Sequence, residues 1–353
     1  MDRRLFLKLL ISSYFLPIKG FTNGGTDTLL VGGTKKKANF LVSINLDSKV
    51  IEKIPVDFKI HDVILNPSDP NEVGLVGQWL SSFCTVNLKS KKVIKKFEIK
   101  SPSEKFVGHG FYSLDGKNIF LSAAKYEGLQ RGVPGEGKFY GLNGNLEIID
   151  EFPSFGLEPH DCILLNNTII VFNASFSKTQ IEFDQIEPSI AFINLEKKEL
   201  IKKIDLKGTQ NLLAHFHAKN DKEIFGVGAH VVSKSKLSPL IMMLKDNKTE
   251  LNLEEQDGSS PYLSVKADRN FSILAATLPG EKKVCFWKLG TGKNIKNIFF
   301  DDSISGISPT LDNRFFVGNG KNGLYFIDQK RLEVVKRLAI SDITLDGAHS
   351  KII

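Results

Sequence analysis

Turn-forming residues recur along this 353-residue chain at nearly constant spacing, and that rhythm constrains its fold more than any other feature. Pro67, Asp115, Asn166, Asp221, Asp268 and Asp312 each separate two short runs rich in Val, Ile, Phe and Leu. Asn and Asp suit such places because they bond their own backbone, and Pro pre-sets φ. No helical periodicity fills the intervals, so the chain reads as all-β. Six residues before each turn stand His61, His109, His160, His215, Tyr262 and Gly306, at intervals of 48, 51, 55, 47 and 44 residues. That is the period of a four-stranded propeller blade.

The two ends are expected to complete the count. Residues 28–56 hold three strand-like runs without a preceding inner strand, and Gly347–Ile353 supplies one, with His349 placed 43 residues after Gly306. The predicted fold is a seven-bladed β-propeller, WD40/YVTN-like, closed by the C-terminal strand completing the first blade. Closure of that kind leaves no open edge. Residues 21–353 then form a single domain. An array of immunoglobulin-like sandwiches would not divide one blade between the chain ends.

Residues 1–20 read differently. Arg3-Arg4-Leu5-Phe6-Leu7-Lys8 followed by Leu9–Leu16 joins paired arginines to an apolar stretch too short to span a bilayer comfortably. This is the pattern of a twin-arginine signal, with Asp2 where Ser or Thr is usual, so export to the periplasm is expected. No transmembrane segment is expected beyond it. The formal charge of +7 falls to about +4 once the charged residues of this segment are set aside, and it is spread rather than clustered. Without a basic stripe, nucleic-acid binding is excluded. Three cysteines at non-equivalent positions (Cys84, Cys162 and Cys285) argue against a disulfide framework, and a monomer is expected.

His61, His109, His160, His215 and His349 occupy one repeated position, the start of the strand that lines a propeller's central channel. The turns set that register, so the coincidence is informative: five of the chain's 7 histidines share it. Converging imidazoles suit metal ligation, since neutral imidazole binds copper, zinc, iron and nickel. They also suit acid–base chemistry near neutral pH, binding of an anion, or a purely structural hydrogen-bonded ring. His217, two residues beyond His215, should point the same way but deeper. Asp62 and Asp161 follow His61 and His160, so strand alternation sends them to the opposite face, as inter-blade anchors with a supporting role toward the histidines left open.

Long connections returning to the histidine end add Trp79, Tyr126, Glu127, Arg131 and His230 as candidate ligand-binding or supporting residues, from stretches 125–138, 175–188 and 230–239 and from Gln78-Trp79. No Cys-x-x-Cys-His marks a covalent haem, and no Gly-x-Ser-x-Gly marks a nucleophile. A metal-independent enzyme with a histidine acid/base, Arg131 and Glu127 placing its substrate, stays open. So does a scaffold that docks proteins on its face.

His61-Asp62-Val63, Gly108-His109-Gly110, the stretches at Tyr126-Glu127 and Arg131-Gly132-Val133, and Pro159-His160-Asp161 together resemble the twin-arginine-exported propeller family known as domain of unknown function 1513. The resemblance covers nearly the whole chain beyond the signal. Glu158 stands where that family favours Gly, and Ala214 where it favours Arg, which weakens an anion-clamp role beside His215. The resemblance implies a periplasmic role near iron acquisition, with imelysin-like iron-uptake proteins or a di-haem cytochrome-type oxidoreductase as neighbours and partners. The combined expectation is a periplasmic propeller that binds a transition metal through axial histidines in an uptake or redox pathway.

Overall fold

Side chains that cap the turns set the strands. Asp268 Oδ1 accepts from the backbone N–H of Ser272 at 2.6 Å and of Ile273 at 2.7 Å. Asn66 Oδ1 accepts from Ser68 N at 2.9 Å, and Asn166 takes the left-handed conformation at φ 54°. Turns thus lie at or beside five of the six predicted positions, and Asp312 lies outside the described residues. The computed structural model describes residues 27–127, 133–174, 188–206, 211–233, 236–246, 248–250, 253–254, 256–310, 314–319, 323–340, 342–345 and 349–353. Residues 1–20, expected to be a signal segment, therefore lie outside them.

Six four-stranded antiparallel sheets follow one another as blades. Their first strands are Ile60–Leu65, Glu104–Tyr112, Pro159–Leu165, Asn211–Asn220, Ser264–Ala267 and Ile304–Pro309. We name each blade by the residue at its repeat position: His61, His109, His160, His215, Tyr262 and Gly306. Inner strands such as Glu72–Gly77 are buried almost throughout, as both faces are covered by neighbouring blades. The outermost Lys92–Glu98 alternates exposed and half-buried residues, and its lysines shield an open edge.

The expectation of seven equivalent blades, the first completed by one C-terminal strand, is corrected. There are six regular four-stranded blades, and the sheet that joins the chain ends is of another kind, with five strands. Thr28–Lys35, Ala38–Asn45 and Ile51–Val56 are joined there by two separate two-residue strands, Thr344–Leu345 and Lys351–Ile352. The register explains the split. Leu345 pairs with Gly33 and Lys351 with Leu30, so six residue steps face only three and no continuous ladder can run between them. His349 sits in this interval, in a bend rather than a strand, and Gly347 and Ala348 lie outside the described residues. The ends are still secured, because Thr28 and Ile353 exchange backbone hydrogen bonds of 2.9 and 3.0 Å.

Each junction between neighbouring sheets carries its own apolar cluster. Ile64, Phe83, Phe106 and Leu121 join the His61 and His109 blades; Phe172, Phe192, Phe216 and Met242 join the His160 and His215 blades. Leu29, Val42, Leu324 and Phe326 join the closing sheet to the Gly306 blade, so the ring is continuous. Each such buried side chain contributes about 1.5–3 kcal/mol, and all of them depend on closure.

Two of the three long connections are not loops. Asn118–Glu127 pairs with Val133–Asn143, and Glu223–Ser233 with Lys236–Lys245, so most of 125–138 and 230–239 prolongs hairpins in which the backbone satisfies itself. Residues 175–187 and Arg131 lie outside the described residues.

Candidate functional site

Four of the histidines lie at or beside bulges in their strands. Register jumps between Ile60 and Asp62, and again between Pro159 and Asp161, making His61 and His160 the extra residues. Similar shifts fall between Phe106 and Gly110, and between Leu213 and His215. A bulge ends regular pairing and re-aims the side chain, here toward the axis. Gly108, at φ +126°, completes the device: a Cβ there would stand 2.4 Å from His61 Cδ2, so only glycine leaves room for that ring.

All five predicted imidazoles converge. Ring centroids of His349 lie 4.3 Å from His215, 4.4 Å from His109 and 4.5 Å from His61, and His160 is 4.9 Å from His215. His61 Nε2 and His109 Nε2 stand 3.2 Å apart. Two sets, His61/His109/His160 and His109/His215/His349, each bring three ligand nitrogens within 4.8 Å of one another. The sets share His109.

Asp62 and Asp161 do not point away from the imidazoles as alternation predicts, because the bulge at the preceding histidine breaks the alternation. Asp62 Oδ2 lies 3.1 Å from His109 Nδ1 in the next blade, which places the proton on Nδ1 and turns the Nε2 lone pair toward His61. Asp62 Oδ1 accepts from Val63 N at 2.8 Å and faces Lys351 Nζ at 3.4 Å. Asp161 Oδ2 accepts from Phe216 N at 3.0 Å and stands 3.6 Å from His215 Nδ1, at ion-pair rather than hydrogen-bond range. Both aspartates also link one blade to the next.

Burial sets the protonation states. It drives the His61 and His349 pKa values well below 6.5, reinforced by repulsion from neighbouring imidazoles, and it lowers that of His215 against the pull of Asp161. Burial opposes charge on Asp62, but Lys351 and His109 outweigh it and hold the pKa at about 2. Asp161 is lowered too, since His109, His215 and Lys266 overcome its burial. His61, His215 and His349 are thus held toward the neutral imidazole beside ionised carboxylates, the protonation state that binds metal.

The cluster separates two cavities. On the mouth side, one of about 240 Å³ is walled by His61, His160, Trp79, Glu158, Leu237 and Pro261. Below, the axial channel holds about 370 Å³ beside His109, His215, His349, Asp62, Asp161 and Lys266.

The remaining candidates divide. Trp79 Nε1 donates to Glu158 Oε1 at 3.4 Å and the Tyr126 hydroxyl donates to the same oxygen at 3.5 Å; of the three, Trp79 and Glu158 line the mouth cavity. His217 does not join the cluster; it stacks on Phe271 at 5.4 Å, and burial, then Lys266, lowers its pKa to about 3. Glu127 and His230 lie on strands whose side chains there are outside the described set, and Arg131 is outside it altogether. Sequence reasoning missed Glu158 as a site residue, although it lies two residues before His160 and is 2% exposed. It also missed Lys351, two residues after His349, and Lys266, four after Tyr262. The inward phase of their strands could have flagged both lysines.

A ring of β-sheets whose axis is filled by imidazoles from consecutive sheets defines this molecule as an axial-histidine β-propeller. It belongs to the family described as Protein of unknown function (DUF1513), whose model matches residues 54–350. Among solved structures, Kuenenia stuttgartiensis hydrazine synthase is similar, at TM-score 0.62 and 11% identity, over 86% of this chain and 93% of that one. The C-terminal WD40 domain of Sif2 matches at TM-score 0.54 and 11% identity, over 81% of this chain and 74% of that one. At such identity these likenesses concern the fold alone. No curated protein matches by sequence.

Proposed function

We propose that the axial histidines bind a transition-metal ion, iron or copper, in a periplasmic uptake or redox pathway. One observation carries the reading: His61 Nε2 and His109 Nε2 lie 3.2 Å apart, with Asp62 on the far nitrogen of His109. Two nitrogens at about 2.0–2.1 Å from one tetrahedral ion stand about 3.3 Å apart, and a carboxylate behind a ligating histidine is the usual supporting arrangement. Imidazole suits copper and iron, and carboxylates nearby favour iron. Periplasmic location rests on the Arg3-Arg4 signal pattern, and imelysin-like or cytochrome-type partners rest on the family resemblance. Metal analysis of the full chain purified from the periplasm of iron- and copper-replete cells should find near-stoichiometric metal. His109→Ala with His160→Ala should remove it. A wild-type protein that stays metal-free under those conditions would sink the reading, as would a double variant that keeps its metal.

A second reading draws on the mouth cavity, where the buried Glu158 carboxylate lies beside His61 and His160. A carboxylate and an imidazole in one apolar pocket can act as acid and base on a small molecule. It predicts a pH-dependent turnover that survives chelation and is lost in Glu158→Gln.

A further inference from the structure

The two histidine triads face different cavities in part. His61 and His160 wall the mouth cavity, His109 and His349 wall the axial channel, and His215 borders both. His109 belongs to both triads. Their chemistry differs as well. The mouth-side triad adjoins a largely apolar wall of Trp79, Leu237 and Pro261 that carries one carboxylate, Glu158. The channel-side triad has two carboxylates within reach, in a cavity that Lys266 and Lys351 also line: Asp161 lies 3.6 Å from both His109 Nδ1 and His215 Nδ1, and Asp62 lies 3.1 Å from His109.

A further observation points to a ligand on the channel side. His215 Nδ1 and His349 Nε2 are buried and have no hydrogen-bond partner. A buried nitrogen left in that state costs about 1–3 kcal/mol, and native folds rarely retain one without a bound water or ion. Two occur in a single triad, on rings whose centroids are 4.3 Å apart. A metal ion shared between these nitrogens would satisfy both.

Resting on the metal reading above, we propose that the cluster comprises two metal positions sharing His109, filled one at a time. An ion entering at the mouth is held by His61, His109 and His160, and is then passed to His109, His215 and His349 on the channel side. The transfer is a ligand exchange. Bonds to His61 and His160 break as bonds to His215 and His349 form, His109 stays bound, three imidazoles are kept throughout, and no electron or proton need move. The shared ligand and the short distances between the triads forbid double occupancy, since two cations so close would repel strongly without a bridging anion.

Cobalt(II) is a suitable probe, because its visible spectrum reports the ligand set. Metal-free full-length protein should bind one cobalt per chain. His160→Gln and His349→Gln should each still bind one cobalt, with affinity reduced no more than about tenfold and with visible spectra that differ from each other, as each variant retains only one triad. His109→Gln should lose at least about a hundredfold in affinity, the upper end of what disturbing a ligand set costs. Circular dichroism on every variant, with Ala versions alongside, separates lost binding from lost folding. Abolition of binding by His160→Gln or His349→Gln alone, in folded protein, would show one undivided site and overturn the proposal. Two cobalt ions per wild-type chain, or an unaffected His109→Gln, would overturn it equally. If the wild type binds no metal, the metal reading itself fails, a result distinct from any of these.

Discussion

Two arcs of the ring treat the same structural position in opposite ways. From the closing sheet through the His61, His109, His160 and His215 blades, every repeat position carries an imidazole. Across the axis, the Tyr262 and Gly306 blades carry none. The Gly306 blade has the same bulge, between Ile304 and Gly306, but presents no ligand. The Tyr262 blade runs in unbroken register from Ser264 to Ala267 and sends Lys266 into the channel. A bulge therefore belongs to the scaffold and does not by itself make a site. At His109 and His215 a bulge, a histidine and a carboxylate from the preceding blade coincide, and among the described residues that happens on one side only.

Acid should break this asymmetry most strongly. His61 and His349 are held neutral with pKa values well below 6.5, the value they regain on unfolding. The unfolded chain thus takes up more protons below pH 6.5, and stability falls as the pH drops from there toward the depressed folded values. Two such groups should add about 2–3 kcal/mol of lost stability per pH unit in that window. Asp62, at about 2, also stabilises the fold, but its contribution disappears only between about pH 3.8 and 2. Urea unfolding of metal-free protein at pH 7.5, 6.5 and 5.5 should show the decline. His61→Gln with His349→Gln should make the decline shallower without abolishing it, since burial lowers His215 and His217 as well, and an equally steep slope in that variant would refute the assignment.

Glycine substitutions sharpen the same contrast. Gly108→Ala forces a side chain into a φ of +126° and against the His61 ring, so it should cost about 1–3 kcal/mol and displace a ligand. Gly290, in a turn of the Tyr262 blade, has nothing within 4 Å of the point where a methyl group would stand. Gly290→Ala should therefore stay within about 0.5 kcal/mol of wild type with metal binding intact. Thermal unfolding and cobalt titration of the pair would decide it. Equal effects would mean that Gly108 does not protect the cluster.

Much of this is legible in the sequence, and the reason lies in what a turn requires. Asp268 and Asn166 are selected by local backbone geometry, so their spacing reveals the blades, and the five axial histidines follow by counting. Properties that depend on departures from regular pairing stay hidden. Strand alternation puts Asp62 and Asp161 on the wrong face because nothing in His-Asp announces a bulge. Repeat counting gives the closing sheet one inner strand because its mismatch, six residue steps against three, emerges only when both chain ends are paired. Glu158 stands out as a departure from the family pattern, but its contacts with Trp79 and Tyr126 join residues 79 and 32 positions away.

A last comparison separates two aspartates that look alike in sequence. Asp268 caps a turn in the Tyr262 blade with bonds to Ser272 N, Ser272 Oγ and Ile273 N. Asp268→Ala should lower stability by about 1.5–3 kcal/mol, as expected for lost bonds to a charged group, and leave cobalt affinity unchanged. Asp62→Asn keeps shape and one accepting oxygen but removes the charge that opposes Lys351 and fixes His109. Its amide can also donate toward His109 Nδ1, which would move the proton to Nε2 and occupy the ligating nitrogen. Affinity should therefore fall about tenfold, the lower end for loss of a supporting carboxylate, with stability changing less than in Asp268→Ala. Cobalt titration with denaturant melts on both variants reads the two effects separately. Should Asp62→Asn bind cobalt as tightly as wild type, the carboxylate would be an inter-blade tie alone, and the difference between the arcs would reduce to their histidines.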